Sequence, residues 1–189
     1  MDTYDDTGNN TEARLGWLGR VNYDFDNKYL VELSARYDGS WKFPTNDRWG
    51  FFPSGSLGWR ISEEGFWKDT KIGAIVSDLK LRGSYGLMGD DNVSDYAAFD
   101  YMSGYNYKNG GSVIDGKYTI GSVPRGLPVT TISWIEAKIL DIGFDASFVD
   151  GKLTGTFDFF QRKRTGLPAS RYDVLIPSEA GFSLPKENL

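Results

Sequence analysis

The sequence predicts an all-β fold: an antiparallel up-and-down meander of about six transmembrane-type strands, forming wall of a membrane β-barrel. Three observations predict it. Apolar residues recur at every second position in six segments, short and long connections take turns, and aromatic residues gather toward both ends of the strands.

The strands are expected near 13–26, 28–38, 50–61, 78–88, 132–149 and 152–165. In the first, Leu15, Trp17, Gly19, Val21, Tyr23 and Phe25 share one face, with Arg14, Arg20, Asn22 and Asp24 on the other. A short Asp26-Asn27-Lys28 turn leads to Tyr29, Val31, Leu33, Ala35 and Tyr37, opposed by Glu32, Ser34, Arg36 and Asp38. Phe51, Leu57, Trp59 and Ile61 form the apolar set of the third strand, and Leu79, Leu81, Tyr85 and Leu87 that of the fourth. The last two make a hairpin: Leu140, Ile142, Phe144, Ala146 and Phe148, then Leu153, Gly155, Phe157 and Phe159. Asp150-Gly151 between them is a strong two-residue turn signal.

A soluble sandwich also alternates, so the connections must separate the two readings. Long extracellular-type loops are expected at 38–50, 89–131 and 166–189, and the 43 residues of the second exceed what compact soluble domains carry without a function. Short turns on one side and long loops on the other are the habit of transmembrane barrels. Tyr23, Phe25, Tyr29, Trp59 and Phe148 gather toward the short-turn rim, and Trp17, Tyr37, Phe51, Tyr85 and Phe159 toward the other. Tyr29 to Tyr37 is about 26 Å of strand, or about 20 Å of height after a tilt of about 40°, close to the apolar band of such barrels. In the link Ser62–Asp78, Ser62 is expected to cap a short helical turn, with Phe66 and Trp67 folding back on the rim.

Composition excludes several classes. The 189 residues contain 23 Gly and 29 aromatic residues (12 Phe, 11 Tyr, 6 Trp), but no Cys and no His. Disulfides, thiolate metal sites and histidine chemistry are therefore absent. A net charge of −5 argues against nucleic acid as a partner. The start, Met1-Asp2-Thr3-Tyr4, is not a signal peptide, and no apolar run is long enough for a membrane helix. A mean hydropathy of −0.42 does not count against a barrel, whose strands are apolar only at alternate positions.

Gly19-Arg20-Val21-Asn22-Tyr23-Asp24-Phe25, Arg36-Tyr37-Asp38-Gly39-Ser40 and Asn46-Asp47-Arg48-Trp49-Gly50-Phe51-Phe52-Pro53-Ser54 carry a family resemblance. Gly58-Trp59-Arg60-Ile61-Ser62-Glu63-Glu64, Leu79-Lys80-Leu81-Arg82-Gly83-Ser84-Tyr85-Gly86 and Phe157-Asp158-Phe159-Phe160-Gln161-Arg162 continue it in order. These runs resemble the SusC/RagA family of TonB-dependent transporters of Bacteroidetes outer membranes. The resemblance implies a large outer-membrane β-barrel of about 22 strands with an N-terminal plug, of which these six strands are an incomplete segment. It implies a SusD-like surface lipoprotein as lid, import of glycans or peptides, and drive from the TonB complex. The chain then reads as barrel wall in contact with outer-membrane lipid, with no plug domain, and as no enzyme. The alternative is a soluble β-sandwich carbohydrate-binding module, which would bury Leu33, Leu57, Phe144 and Phe157 in one core.

Candidate contacts with substrate or a partner are aromatic. Trp41 and Trp49, with Phe43, lie in or beside the first long loop, where rings stack on sugars or pack the loop onto the barrel lip; packing is the simpler role. Tyr96, Phe99, Tyr101, Tyr105 and Tyr107 dot the second long loop. Asp90-Asp91-Asn92 lacks the spacing of a calcium loop, and Glu63-Glu64 suits a helix start better than a catalytic carboxylate pair. No catalytic, metal or cofactor site is expected. The inward-facing charges Arg20, Glu32, Arg36, Arg60, Arg82, Asp145, Asp158 and Arg162 either line a polar lumen, pair with one another, or do both.

Overall fold

A computed structural model describes residues 13–92, 100–171 and 173–188. Its strands are β1 (Arg14–Phe25), β2 (Tyr29–Ser40), β3 (Trp49–Arg60), β4 (Val76–Asp90), β5 (Tyr105–Ile114), β6 (Lys117–Pro124), β7 (Ile135–Phe148), β8 (Leu153–Thr165), β9 (Pro168–Ala169) and β10 (Glu187–Asn188). Two short helices, α1 (Gly65–Lys68) and α2 (Lys71–Ile75), follow a 3-10 turn at Ile61–Glu63. Six strands form one antiparallel sheet in the order β1-β2-β3-β4-β7-β8, the meander expected from alternation.

The register makes the two faces explicit. Phe25, Tyr29, Trp59, Leu81, Phe144 and Phe157 are successive partners across all six strands, an apolar row near the short-turn rim. Trp17, Tyr37 and Phe51 form a second such row toward the other rim. Tyr85 and Phe159, expected at that rim, instead oppose Gly55 and Ile142 in rows nearer the strand middles. One residue along, Asp24, Leu30, Gly58, Arg82, Gly143 and Asp158 make a row on the opposite face.

Both sharp turns rest on left-handed backbone. Asp26 and Asn27 sit at φ 55° and 56°, the pair of positive angles a type I′ turn requires. Asp24 Oδ1 accepts from Asn27 N–H at 2.9 Å and steadies it. The other turn departs from expectation. Phe148 pairs with Leu153, so four residues intervene rather than Asp150-Gly151 alone. Val149 takes φ 51° there, an unfavourable angle for a β-branched residue.

Three further differences concern the connections. The stretch expected as one open 89–131 loop contains the hairpin β5–β6, whose irregular register between Tyr107 and Gly111 hides its alternation. Within 166–189, β9 and β10 pair, and Asn188 Nδ2 donates to Ser133 O and Gly166 O at 2.9 Å each. Ser62 does not cap a helix: it lies inside the 3-10 turn, buried, with its hydroxyl bonded to Asp78 Oδ1. Thr70 is the cap instead, accepting from Gly73 N–H at the start of α2.

Burial is concentrated at the long-loop rim. Phe43, Val129, Ile132 and Ile135 form the buried cluster, with Tyr101 and Trp134 packed against it. The strands of the sheet itself bury little: Leu33 is 58% exposed, Leu57 64%, Phe144 40% and Phe157 59%. A sandwich core would have hidden all four. Instead the apolar face stands uncovered, as a lipid-facing wall does.

Candidate functional site

The face opposite the apolar rows holds most of the sheet's ion pairs. Arg20 Nε lies 3.5 Å from Glu32, and Arg36 Nε donates to Asp38 at 3.0 Å. Arg82 lies 3.3 Å from Asp145 and 2.7 Å from Asp158, which stands two strands away. The second contact depends on Gly143 between them: a Cβ there would collide with the Asp158 carboxylate. Two hollows cover this face, one lined by Glu32, Ser34, Arg36 and Ser84 and the other by Asn22, Lys80, Arg82 and Asp141. Their volumes are about 490 and 580 Å³. Serines, acids and bases side by side make a surface suited to polar solutes or a polar protein, not to lipid.

At the long-loop rim, Asp91 ties the connection after β4 to the beginning of the sheet. Its Oδ2 accepts from Arg14 Nε at 2.7 Å and from Ser40 Oγ at 2.8 Å, while Lys42 Nζ donates to Asp91 O at 3.2 Å. Asn92 N–H bonds Asp90 Oδ1 at 2.9 Å, closing the turn locally. These carboxylates are thus occupied by protein donors, and no cluster of metal-ligating side chains occurs among the described residues.

The candidate aromatic residues separate into groups. Trp49 stacks with Trp17 at 5.4 Å and with Tyr37 at 5.1 Å on the apolar face, and those two rings stack with each other at 6.1 Å. Its ring covers Gly39, where a Cβ would meet it at 2.7 Å. Trp41 is half-buried, and its backbone N–H donates to Ala13 O at 3.3 Å at the rim. Tyr101 packs on the Phe43 cluster. Tyr105 and Tyr107 stand 71% and 79% exposed on β5, sharing a face with Val113, Tyr118 and Ile120. Tyr96 and Phe99 lie outside the described residues.

Two rim residues escaped the sequence reading. Trp134 packs against Phe43 and Phe52, 5.2 Å from each ring, and donates its indole N–H to Arg48 O. Phe52 lies at an inward position yet is 6% exposed, because Gly50 and Gly89 leave room for its ring. An inward aromatic within a glycine-flanked run was the available signal. Tyr118, on the hairpin face, was hidden with the hairpin itself.

At the opposite rim Glu64 collects outward-facing donors. Tyr29 OH donates to its Oε1 at 2.7 Å, Trp59 Nε1 at 3.2 Å, and Lys28 Nζ lies 3.7 Å from Oε2. The Tyr29 and Trp59 hydrogen bonds, with Lys28, hold the Glu64 carboxyl below its ordinary pKa.

An apolar outer face, an ion-paired inner face, tight turns at one rim and folded loops at the other define a wall segment of an outer-membrane-type β-barrel. Comparison with known proteins assigns it further. Residues 2–184 match the family model described as TonB dependent receptor-like, beta-barrel, and the chain belongs to that family, within its SusC/RagA type. It is 34% identical over 169 residues to the TonB-dependent receptor SusC of Bacteroides thetaiotaomicron, covering 89% of this chain and 16% of that protein. It is 31% identical over 181 residues to the TonB-dependent receptor P3 of Formosa agariphila, covering 96% and 17%. In fold it is similar to the RagAB peptide importer in its 'closed-closed' state, with a TM-score of 0.75, 23% identity, and 94% and 18% of the two chains covered. The 'open-open' state gives 0.76 at 24% identity, with the same coverage. The chain spans about one sixth of the length of these relatives.

Proposed function

We propose that this chain forms part of the wall of a TonB-dependent importer in the outer membrane of a Bacteroidetes-like Gram-negative bacterium, working with a SusD-like lipoprotein lid to take up glycans or peptides. The segregation of faces carries the reading: six consecutive strands present apolar rows to one side and Arg82 with its two aspartates to the other. Lipid on the first side and a polar passage or plug on the second account for both. The sequence likeness to SusC favours a receptor of that type, and the fold likeness to a peptide importer keeps peptides beside glycans as the cargo.

Within this reading Tyr105 and Tyr107 are contacts for substrate or lid. They lie on a projecting hairpin at the long-loop rim, and tyrosine suits both sugar stacking and protein contact. Tyr96, Phe99 and Tyr101 belong to the same connection. Trp41 and Trp49 act more simply, as packing at the barrel lip.

Deleting the gene of the full-length receptor tests the function. Loss of growth on a defined oligosaccharide or peptide pool, matched by deletion of TonB, is the expected result. Unchanged uptake of both classes would overturn it. Y105A/Y107A in the full-length receptor is expected to reduce uptake several-fold while the amount of folded barrel stays constant.

A further inference from the structure

The link between β3 and β4 is unlike the other two turns at its rim. Those take three residues (26–28) and four (149–152), whereas this one takes fifteen (61–75) and folds them into a 3-10 turn and two helices. A strand connection alone needs nothing so long.

Its polar groups are used internally. Ser62 bonds Asp78, Trp67 Nε1 donates to Val76 O at 3.3 Å, and Thr70 caps α2. Ile61 and Trp67 are half-buried, but three other apolar side chains of the link are left uncovered. Phe66 is 61% exposed, Ile72 59% and Ile75 60%. The position of the link says what covers them. Glu64, the residue before α1, is hydrogen-bonded to Tyr29 and Trp59, whose rings belong to the outward apolar row. The link therefore starts on the lipid side of the rim, continuous with the membrane-facing surface. Lys71, at the start of α2, is exposed and has no acidic partner among the described residues, while Lys68 is held by Glu63 at 2.8 Å.

From this arrangement we infer that the link is an interfacial foot lying in the phospholipid headgroup layer at the short-turn rim. Phe66, Ile72 and Ile75 enter the boundary between headgroups and acyl chains, and the Lys71 ammonium meets lipid phosphate. Exposed apolar side chains with lysines beside them partition to that depth. Lysine stems reach out of the apolar layer toward phosphate. The foot would fix the height of the wall in the bilayer, because the Glu64 contacts join it to β2 and β3. The inference rests on the membrane-wall reading proposed above.

The test uses the full-length receptor in vesicles of phosphatidylethanolamine and phosphatidylglycerol. Nitroxide labels are placed one at a time at Phe66→Cys, Ile72→Cys, Leu57→Cys and Lys152→Cys, and collision with oxygen is compared with collision with an aqueous nickel chelate. Leu57 reports the wall and Lys152 the water beside the β7–β8 turn. The expected result is oxygen-preferring labels at Leu57, Phe66 and Ile72, and a chelate-preferring label at Lys152. Chelate access at Phe66 and Ile72 with an oxygen-preferring Leu57 overturns the foot and leaves the wall standing. Shielding of both from either quencher means a protein covers the link, which also overturns it. A chelate-preferring Leu57 defeats the wall reading itself.

Discussion

Arg82 Nη2 lies 2.7 Å from Asp158 Oδ1 although the whole of β7 runs between their backbones. Gly143 opens the way, since the Asp158 carboxylate occupies the space its Cβ would take. Arg82→Met is expected to cost about 1 kcal/mol, a modest figure because the three side chains stay about a third exposed. Gly143→Ala should cost more, about 1–3 kcal/mol, because the added Cβ also presses on Phe157 O. The temperature at which the full-length receptor loses its compact band on unboiled gels measures both. Equal stability of wild type and Gly143→Ala would refute the packing argument.

Asp91 is the most heavily used carboxylate at the long-loop rim, with Arg14, Ser40 and Lys42 all directed to that residue. Replacing it by Asn keeps its size but removes the charge that Arg14 faces. We expect a loss of about 1–2 kcal/mol and faster protease cleavage after β4, because the side chain is only 14% exposed. Cleavage at the wild-type rate would show that the connection is held by the Phe43 cluster alone.

Glu64 gives the short-turn rim a pH dependence. Its folded pKa is lowered, first by the Tyr29 hydrogen bond and next by that from Trp59. A depressed carboxyl contributes stability above its unfolded pKa and loses that contribution as pH falls through the folded value. The melting temperature of wild type should thus fall on acidification below the ordinary glutamate range, about pH 4.3. Glu64→Gln should be less stable at neutral pH and lose less on acidification. Parallel pH profiles for the two proteins would count against it.

Val149 holds a left-handed backbone angle that asparagine tolerates better. Val149→Asn is expected to raise stability by about 1 kcal/mol, within the usual cost of such an angle for a non-glycine residue. Its side chain is 49% exposed, so little packing is lost. A lower melting temperature for the variant would show that Val149 contributes through lipid contact instead.

The six-stranded meander was legible because alternation is local: Leu33 and Arg36 face apart on one strand whatever surrounds them. The hairpin β5–β6 was not, because its register breaks between Tyr107 and Gly111 and its described side chains are nearly all exposed, leaving no buried face among them to impose a pattern. The candidate contacts divided for a related reason. Tyr101 and Trp49 look alike in sequence to Tyr105, but whether a ring stacks, packs or projects depends on distant partners. Trp49 needs Trp17 and Tyr37 from two other strands, and Tyr101 needs Phe43.

Sequence by itself determined the strand faces, the tight turn at Asp26-Asn27 and the family, because each rests on residues close together along the chain or on runs shared in order. Tertiary structure alone decided that Arg82 reaches Asp158 over Gly143, that Asp91 closes on Arg14, and that Glu64 fastens a helical link to the outer side of the wall. Each of these joins residues 35 to 77 positions apart. Only strand register brings such residues together, and register depends on how every strand between them pairs.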